Sequence, residues 1–168
     1  VVLVHDSAEA FIADNAKANI AGSIAEKVAD PRKTANTSAL IADDGSLVAA
    51  YRKIHLFDVN IPDGSRYAES ETVEPGDRAV VAPTALGRIG LTVCYDLRFP
   101  ELYRKLASLG AEVITIPSAF TLFTGKDHWE VLIRARAIEN LAYVIAPAQV
   151  GRHSANRQTF GNAMVVDP

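Results

Sequence analysis

Gly87-Arg88-Ile89-Gly90-Leu91-Thr92-Val93-Cys94-Tyr95-Asp96-Leu97-Arg98-Phe99-Pro100-Glu101 is the stretch of this 168-residue chain that decides its fold. Ile89 to Val93 is a short apolar run of buried-strand type, and Pro100 opens a helix, since its fixed φ suits the first helical position. That helix runs through Leu109, with Gly110 as its cap. Cys94 sits at the turn between strand and helix. Such a turn lifts a side chain over the sheet edge and aims the following backbone N–H groups at one point, the geometry an acyl-transfer nucleophile and its oxyanion hole need. Cys94 is the chain's single cysteine, which excludes an intramolecular disulfide and any metal site built from several thiolates. A structural thiol or a nucleophile remains. A lone cysteine at a strand end often serves only as a small buried hydrophobe. Here Asp96, Arg98 and Glu101 crowd polar groups around it, which a packed strand end does not require.

Outward from this turn, buried strands alternate with helices. Ala111 to Ile116 reads as a strand stopped by Pro117, Asp127 to Leu141 as a helix, Tyr143 to Ala146 as a strand, and Phe160 to Val166 as the last strand. Upstream, Ser38 to Ala42 and Leu47 to Lys53 flank Asp43-Asp44-Gly45-Ser46, whose aspartates and glycine suit a hairpin turn. Ser7 to Ala18 has apolar residues at helical spacing, with Asp6 or Ser7 as N-cap. Ile54 to Arg78, with turns at Ile61-Pro62-Asp63-Gly64 and Glu74-Pro75-Gly76, reads as a long surface loop of the kind that carries function. The pattern predicts an α/β protein whose sheets are covered by helices.

Composition narrows the function. The chain has 49% hydrophobic and 22% charged residues with net charge −3, values of an ordinary globular domain, and residues 1–168 read as a single one. Its 17 basic and 20 acidic residues are interspersed, giving no basic face for nucleic acid or anionic lipid. No apolar run approaches the roughly 20 residues that span a bilayer, and the first residues lack a signal peptide, so the reading is cytoplasmic. The start at Val1 and the stop at Asp167-Pro168, directly after an apolar run, predict a domain cut at both ends.

Two more positions carry chemistry. Alternation through Leu47 to Lys53 places Ala49, Tyr51 and Lys53 on one face, and an inward lysine is costly without an anionic partner. A snorkelling lysine at a strand end is the plainer account. His55 is a candidate base, or a histidine with a satisfied hydrogen bond. Three glutamates, Glu69, Glu71 and Glu74, lie in the long loop, and spacing alone selects none.

Tyr-Arg-Lys-Ile-His-Leu-Phe at 51–57, Cys-Tyr-Asp-Leu-Arg-Phe-Pro-Glu at 94–101 and His-Trp-Glu-Val-Leu-Ile-Arg-Ala-Arg-Ala-Ile-Glu-Asn at 128–140 resemble the nitrilase (carbon–nitrogen hydrolase) superfamily. Pro117-Ser118-Ala119-Phe120, Thr124-Gly125 and Gln149-Val150-Gly151-Arg152-His153 are similar to its branch of deaminated glutathione amidases, with ω-amidases as cousins. The resemblance implies an α-β-β-α sandwich, incomplete here at its N- and C-terminal ends, and a Cys–Lys–Glu triad that hydrolyses an amide bond in a small carboxylate-bearing substrate. It implies Cys94 as nucleophile, Lys53 as oxyanion stabiliser together with the Tyr95 backbone N–H, and Glu69 as the second glutamate that orients the lysine. Arg98 is a candidate anchor for the substrate carboxylate, and Ser118 and Ala119 are further substrate-binding positions. No cofactor or metal is implied. The family's general-base glutamate lies on a strand upstream of the lysine, where this chain offers only Glu9. Family members associate through helices near the nucleophile turn, so a homodimer or larger assembly is expected, with Phe99, Leu102, Tyr103 and Leu106 beside Trp129 as the apolar stripe. The alternative reading is a catalytically inactive domain acting by binding or assembly.

Overall fold

The computed structural model describes residues 20–60, 66–154 and 157–168. Three antiparallel strands come first: β1 (Ile20–Lys27), β2 (Thr34–Ile41) and β3 (Leu47–Arg52), in the order β1-β2-β3. The expected hairpin is β2 with β3, and Gly45 takes φ 83 in its turn. β1 was not anticipated. Its sequence Ile-Ala-Gly-Ser-Ile-Ala-Glu-Lys has weak strand propensity, and it is held by continuous pairing with β2. The expected helix Ser7 to Ala18 lies outside the described residues, as does Glu9.

The loop after β3 contains a short ladder of β4 (Asp58–Asn60) with β5 (Arg66–Ala68), followed by a 3₁₀ turn over Glu69–Glu71. Gly76 ties the far end of this loop to β3. Its N–H donates to the Lys53 carbonyl at 2.9 Å, and a Cβ there would lie 2.2 Å from the Arg52 oxygen, so only glycine permits the approach.

A five-stranded mixed sheet follows, built from β6 (Val80–Thr84), β7 (Gly87–Leu91), β8 (Val113–Thr115), β9 (Tyr143–Ala146) and, after the pair β10 (Val150–Ser154) and β11 (Arg157–Phe160), β12 (Met164–Val166). Its order is β12-β9-β8-β7-β6. β7, β8 and β9 are parallel, so each step between them needs a crossover. Helix α1 (Pro100–Ser108) supplies the first and α2 (Leu122–Asn140) the second. β6 escaped the periodicity because Pro83 interrupts it, which an edge strand tolerates. The expected strand from Phe160 to Val166 is two strands, broken where Gly161 and Asn162 take φ 77 and 65.

α1 ends as expected. The Gly110 N–H donates to the Ala107 carbonyl at 2.8 Å and the Ala111 N–H to the Leu106 carbonyl at 3.0 Å, which satisfies two carbonyls of the last turn. α2 begins five residues before the expected Asp127. Gly125 weakens helix propensity in this first turn, but its missing Cβ lets Phe160 of β11 pack there, since an added Cβ would meet that side chain at 2.4 Å.

One core joins the layers. Leu40 and Tyr51 of the three-stranded sheet enter the cluster that contains Ile89 and Leu91 of β7, Ile114 of β8 and Val144 of β9. Leu102, Tyr103 and Leu106 of α1 and Trp129 and Ile133 of α2 close it from the helical side. This corrects the expected assembly stripe: Leu102, Tyr103, Leu106 and Trp129 are all buried, and they cover the chain's own sheet. Gly90 explains the fit, because Leu106 lies 3.3 Å from where its Cβ would stand.

Candidate active site

The strand from β7 ends in an elbow. Val93 is extended (φ −141, ψ 118) and Cys94 turns left-handed, with φ 49. A side chain in that region costs about 1–2 kcal/mol, so neighbouring bonds must hold it there. The Cys94 N–H donates to the Pro117 carbonyl at 3.0 Å, the Asp96 N–H donates to the Val93 carbonyl at 3.1 Å, and the Asp96 carboxylate accepts the Val93 N–H at 2.9 Å. A 3₁₀ turn over Cys94–Arg98 then leads to Pro100. The backbone N–H of Ala119 lies near enough to the Cys94 sulfur to pull its pKa down.

Lys53 points inward, as the alternation predicts, and is 2% exposed. Its ammonium forms an ion pair with Glu69 Oε2. The same oxygen accepts the Phe57 N–H at 2.6 Å, and Oε1 accepts the Asn36 side-chain amide at 3.3 Å. The fold thus makes the choice among loop glutamates that spacing left open. Glu71 instead lies in solvent, 3.7 Å from Arg66.

Lys53 and Glu69 both act electrostatically on Cys94. Burial pushes the thiol above its ordinary range, the Lys53 ammonium pulls it down, and the Glu69 and Asp96 carboxylates push it up. The net direction is upward.

The other expected positions are distributed around this centre. Tyr95 packs edge-on against Phe57 (4.9 Å between centroids) and Phe99 (5.4 Å). Arg98 is half-buried, its guanidinium 5.2 Å from the Phe120 ring centre and 3.3 Å from His128 Nδ1, and among the described residues no carboxylate pairs with it. Burial pulls its pKa down. The Ser118 hydroxyl donates to the Ile116 carbonyl at 3.0 Å, so it is committed to the backbone. His55 follows the plainer account: its Nδ1 lies 2.7 Å from Asp96 Oδ1 and its ring stacks on Phe99 at 3.7 Å. The residue that sequence reasoning undervalued is Asp96, fully buried and bonded also to Tyr51. Among the described residues, no three His, Cys, Asp or Glu side chains are grouped to hold a metal ion.

A family model described as carbon-nitrogen hydrolase matches residues 10–168. The chain belongs to the carbon-nitrogen hydrolase family. Its similarity to individual carbon-nitrogen hydrolases is high: it is 56% identical to the deaminated glutathione amidase of Synechocystis sp. over 81% of this chain and 51% of that protein. With the human deaminated glutathione amidase it shares 52% identity over 82% of this chain and 42% of that protein. The chain therefore spans about half the length of the curated relatives it matches. Among solved structures, the NitFhit protein of C. elegans superposes with a TM-score of 0.81 at 46% identity, covering 89% of this chain and 36% of that one. A mutant amidase from Nesterenkonia sp. AN1 superposes with a TM-score of 0.73 at 27% identity, over 89% of this chain and 53% of that one. In that structure the acetamide moiety of fluoroacetamide is covalently added at the active-site cysteine. The fold is accordingly the nitrilase-like α/β fold of the carbon-nitrogen hydrolases.

Proposed function

We propose that this carbon-nitrogen hydrolase is a thiol-dependent amidase acting on a small linear amide that carries a carboxylate, of the deaminated-glutathione type. The observation that carries the reading is the meeting of the inward Lys53–Glu69 ion pair with Cys94 on a left-handed elbow. The Cys94 sulfur attacks the amide carbonyl carbon while its proton passes to a base. The C–N bond then breaks, the amine leaves with a proton, and water hydrolyses the thioester to the acid. Lys53 and the Tyr95 backbone N–H stabilise the oxyanion of each tetrahedral intermediate. Glu69 supplies the counter-charge that allows the ammonium to stay buried and fixes its direction. Arg98, half-buried beside Phe120 and His128, is suited to receive the substrate carboxylate. A reducing compartment keeps a lone nucleophilic thiol such as Cys94 from oxidation, which fits a cytoplasmic setting. No helix among the described residues is long and apolar enough to cross a membrane. Val131 and Ile138 remain exposed on α2, which supports a homodimer or larger assembly.

The test is turnover on a panel of ω-amides and deaminated glutathione, with mass spectrometry of acid-quenched samples. An acyl adduct on the Cys94 peptide and loss of turnover in both Cys94→Ala and Cys94→Ser are expected, since a hydroxyl is a far weaker nucleophile at neutral pH. Hydrolysis that survives Cys94→Ala overturns the reading. Saturable binding of the amides without hydrolysis favours the inactive binding domain instead.

A further inference from the structure

One buried carboxylate bonds to both halves of the site without belonging to either. Asp96 is 0% exposed, and its two oxygens accept from four donors. Oδ2 takes the Tyr51 hydroxyl at 2.8 Å and the Val93 N–H at 2.9 Å. Oδ1 takes the His55 backbone N–H at 3.2 Å and lies 2.7 Å from His55 Nδ1. Val93 immediately precedes Cys94, while Tyr51 and His55 stand two residues either side of Lys53. The Tyr51 hydroxyl also accepts the Ile54 N–H at 3.1 Å, so the backbone just after Lys53 is tied to Asp96 directly through the His55 N–H and indirectly through Tyr51. Phe99 closes the assembly by stacking on His55.

We propose that Asp96 is a positioning residue, a clamp that fixes the end of the Lys53 strand against the Cys94 elbow and so sets the approach of the ammonium to the sulfur. The proposal rests on the reading of Lys53 and Cys94 as partners in one site. The core would not require this arrangement: a carboxylate fully removed from water is costly, and an apolar residue would pack there without that cost. The retained group matches its acceptors to donors on both segments. No other side chain among the described residues bonds to both the residue before Cys94 and the backbone after Lys53.

The clamp and a merely electrostatic role predict opposite signs. The Asp96 charge by itself pushes the Cys94 thiol up, whereas Lys53 pulls it down. Removing the charge with geometry unchanged would lower the thiol's titration midpoint. Releasing Lys53 from its place would raise it. The groups that face Cys94 and enter this balance are Lys53, Glu69, Asp96, Tyr103 and Arg98.

The measurement is the pH dependence of Cys94 alkylation by iodoacetamide in the folded protein, on the unsubstituted chain and on Asp96→Asn, Tyr51→Phe and Lys53→Met. Asp96→Asn is expected to raise the midpoint by about one unit, slowing alkylation at neutral pH by about tenfold. Tyr51→Phe, which leaves the carboxylate charge in place and removes the hydroxyl's bonds to Asp96 and to the Ile54 N–H, is expected to shift it the same way by less. An Asp96→Asn midpoint that falls or stays overturns the clamp. If Asp96→Asn does not fold, Tyr51→Phe decides alone: an unmoved midpoint overturns the clamp. Lys53→Met separates this failure from failure of the site itself. A midpoint raised by Lys53→Met but not by the other two leaves the Lys53–Cys94 pairing standing and removes the clamp. A midpoint that Lys53→Met does not move removes both.

Discussion

Replacing Glu69 by glutamine would leave the Lys53 ammonium buried without its counter-charge. The Lys53 side chain is 3% exposed and that of Glu69 18%, so water reaches the carboxylate better than the ammonium. Removing one partner of a buried pair costs about 3–5 kcal/mol, and the partial hydration of Glu69 puts this case near 3 kcal/mol. The amide oxygen of glutamine can still accept the Phe57 N–H, and Asn36 can turn its own amide to match, so the loss is chiefly one of charge. Lys53→Met removes the ammonium and leaves Glu69 with those two bonds, at a cost of about 1–2 kcal/mol. In the double variant methionine needs no counter-charge. Its stability should therefore lie near that of Lys53→Met alone, giving a coupling of about 2–3 kcal/mol. Urea unfolding of the four proteins, followed by circular dichroism, measures the cycle. Single effects that add to within about 0.5 kcal/mol would refute the idea that Lys53 depends on Glu69 for its burial.

Two further substitutions probe other parts of the chain. Glu26 accepts from Arg52 at 2.7 and 3.1 Å and from the Thr37 hydroxyl at 2.7 Å, and these bonds, Arg52 first, lower its pKa from 4.5 to about 2. Its stabilisation is thus present above the unfolded value and is lost as pH falls from about 5 towards 2. Because both side chains are more than a third exposed, Glu26→Gln should flatten the acid limb of a stability–pH curve by less than about 1 kcal/mol, and an acid limb identical to that of the unsubstituted chain would contradict it. Leu141 ends α2 with φ 51 while 81% exposed, so Leu141→Gly removes left-handed strain at little loss of burial. Against the added freedom of the unfolded chain, the net gain is about 0.5–1 kcal/mol, or about 2 °C in Tm by calorimetry, and a lower Tm would be the opposite of this expectation.

The elements that the sequence makes legible are those with strong local signals. Pro100 and Gly110 bracket α1, and Asp43 to Ser46 mark the β2–β3 turn, because backbone restrictions act through the residue itself. Alternation placed Tyr51 and Lys53 on the buried face for the same reason. β1 and β10 carry no such signal, and they exist through pairing with partners that the sequence does not name. The site follows the same division. Cys94 could be singled out because it is unique and ends a strand. Glu69 could not be separated from Glu71 and Glu74, since the choice depends on where Phe57 and Asn36 present their N–H groups. Asp96 was visible as a charge beside the cysteine, but its bonds reach back to Tyr51 and His55, a separation no local pattern spans.

In the proposed amidase reaction, Lys53 would act at a later moment than thiol activation. Its positive charge is already paired with Glu69, and a second carboxylate, Asp96, lies close enough to oppose it at the sulfur. Burial adds in the same direction, and the net shift of the Cys94 thiol is upward. A neutral thiol is a poor nucleophile, and its proton must therefore leave during the attack, to a base. At that point negative charge moves from sulfur to the carbonyl oxygen. An ammonium held in place beforehand stabilises the new charge without reorganising, in a setting with little water to screen it. In that proposed reaction the ion pair with Glu69, which offsets the pull of Lys53 on the resting thiol, would also aim the ammonium at the oxyanion.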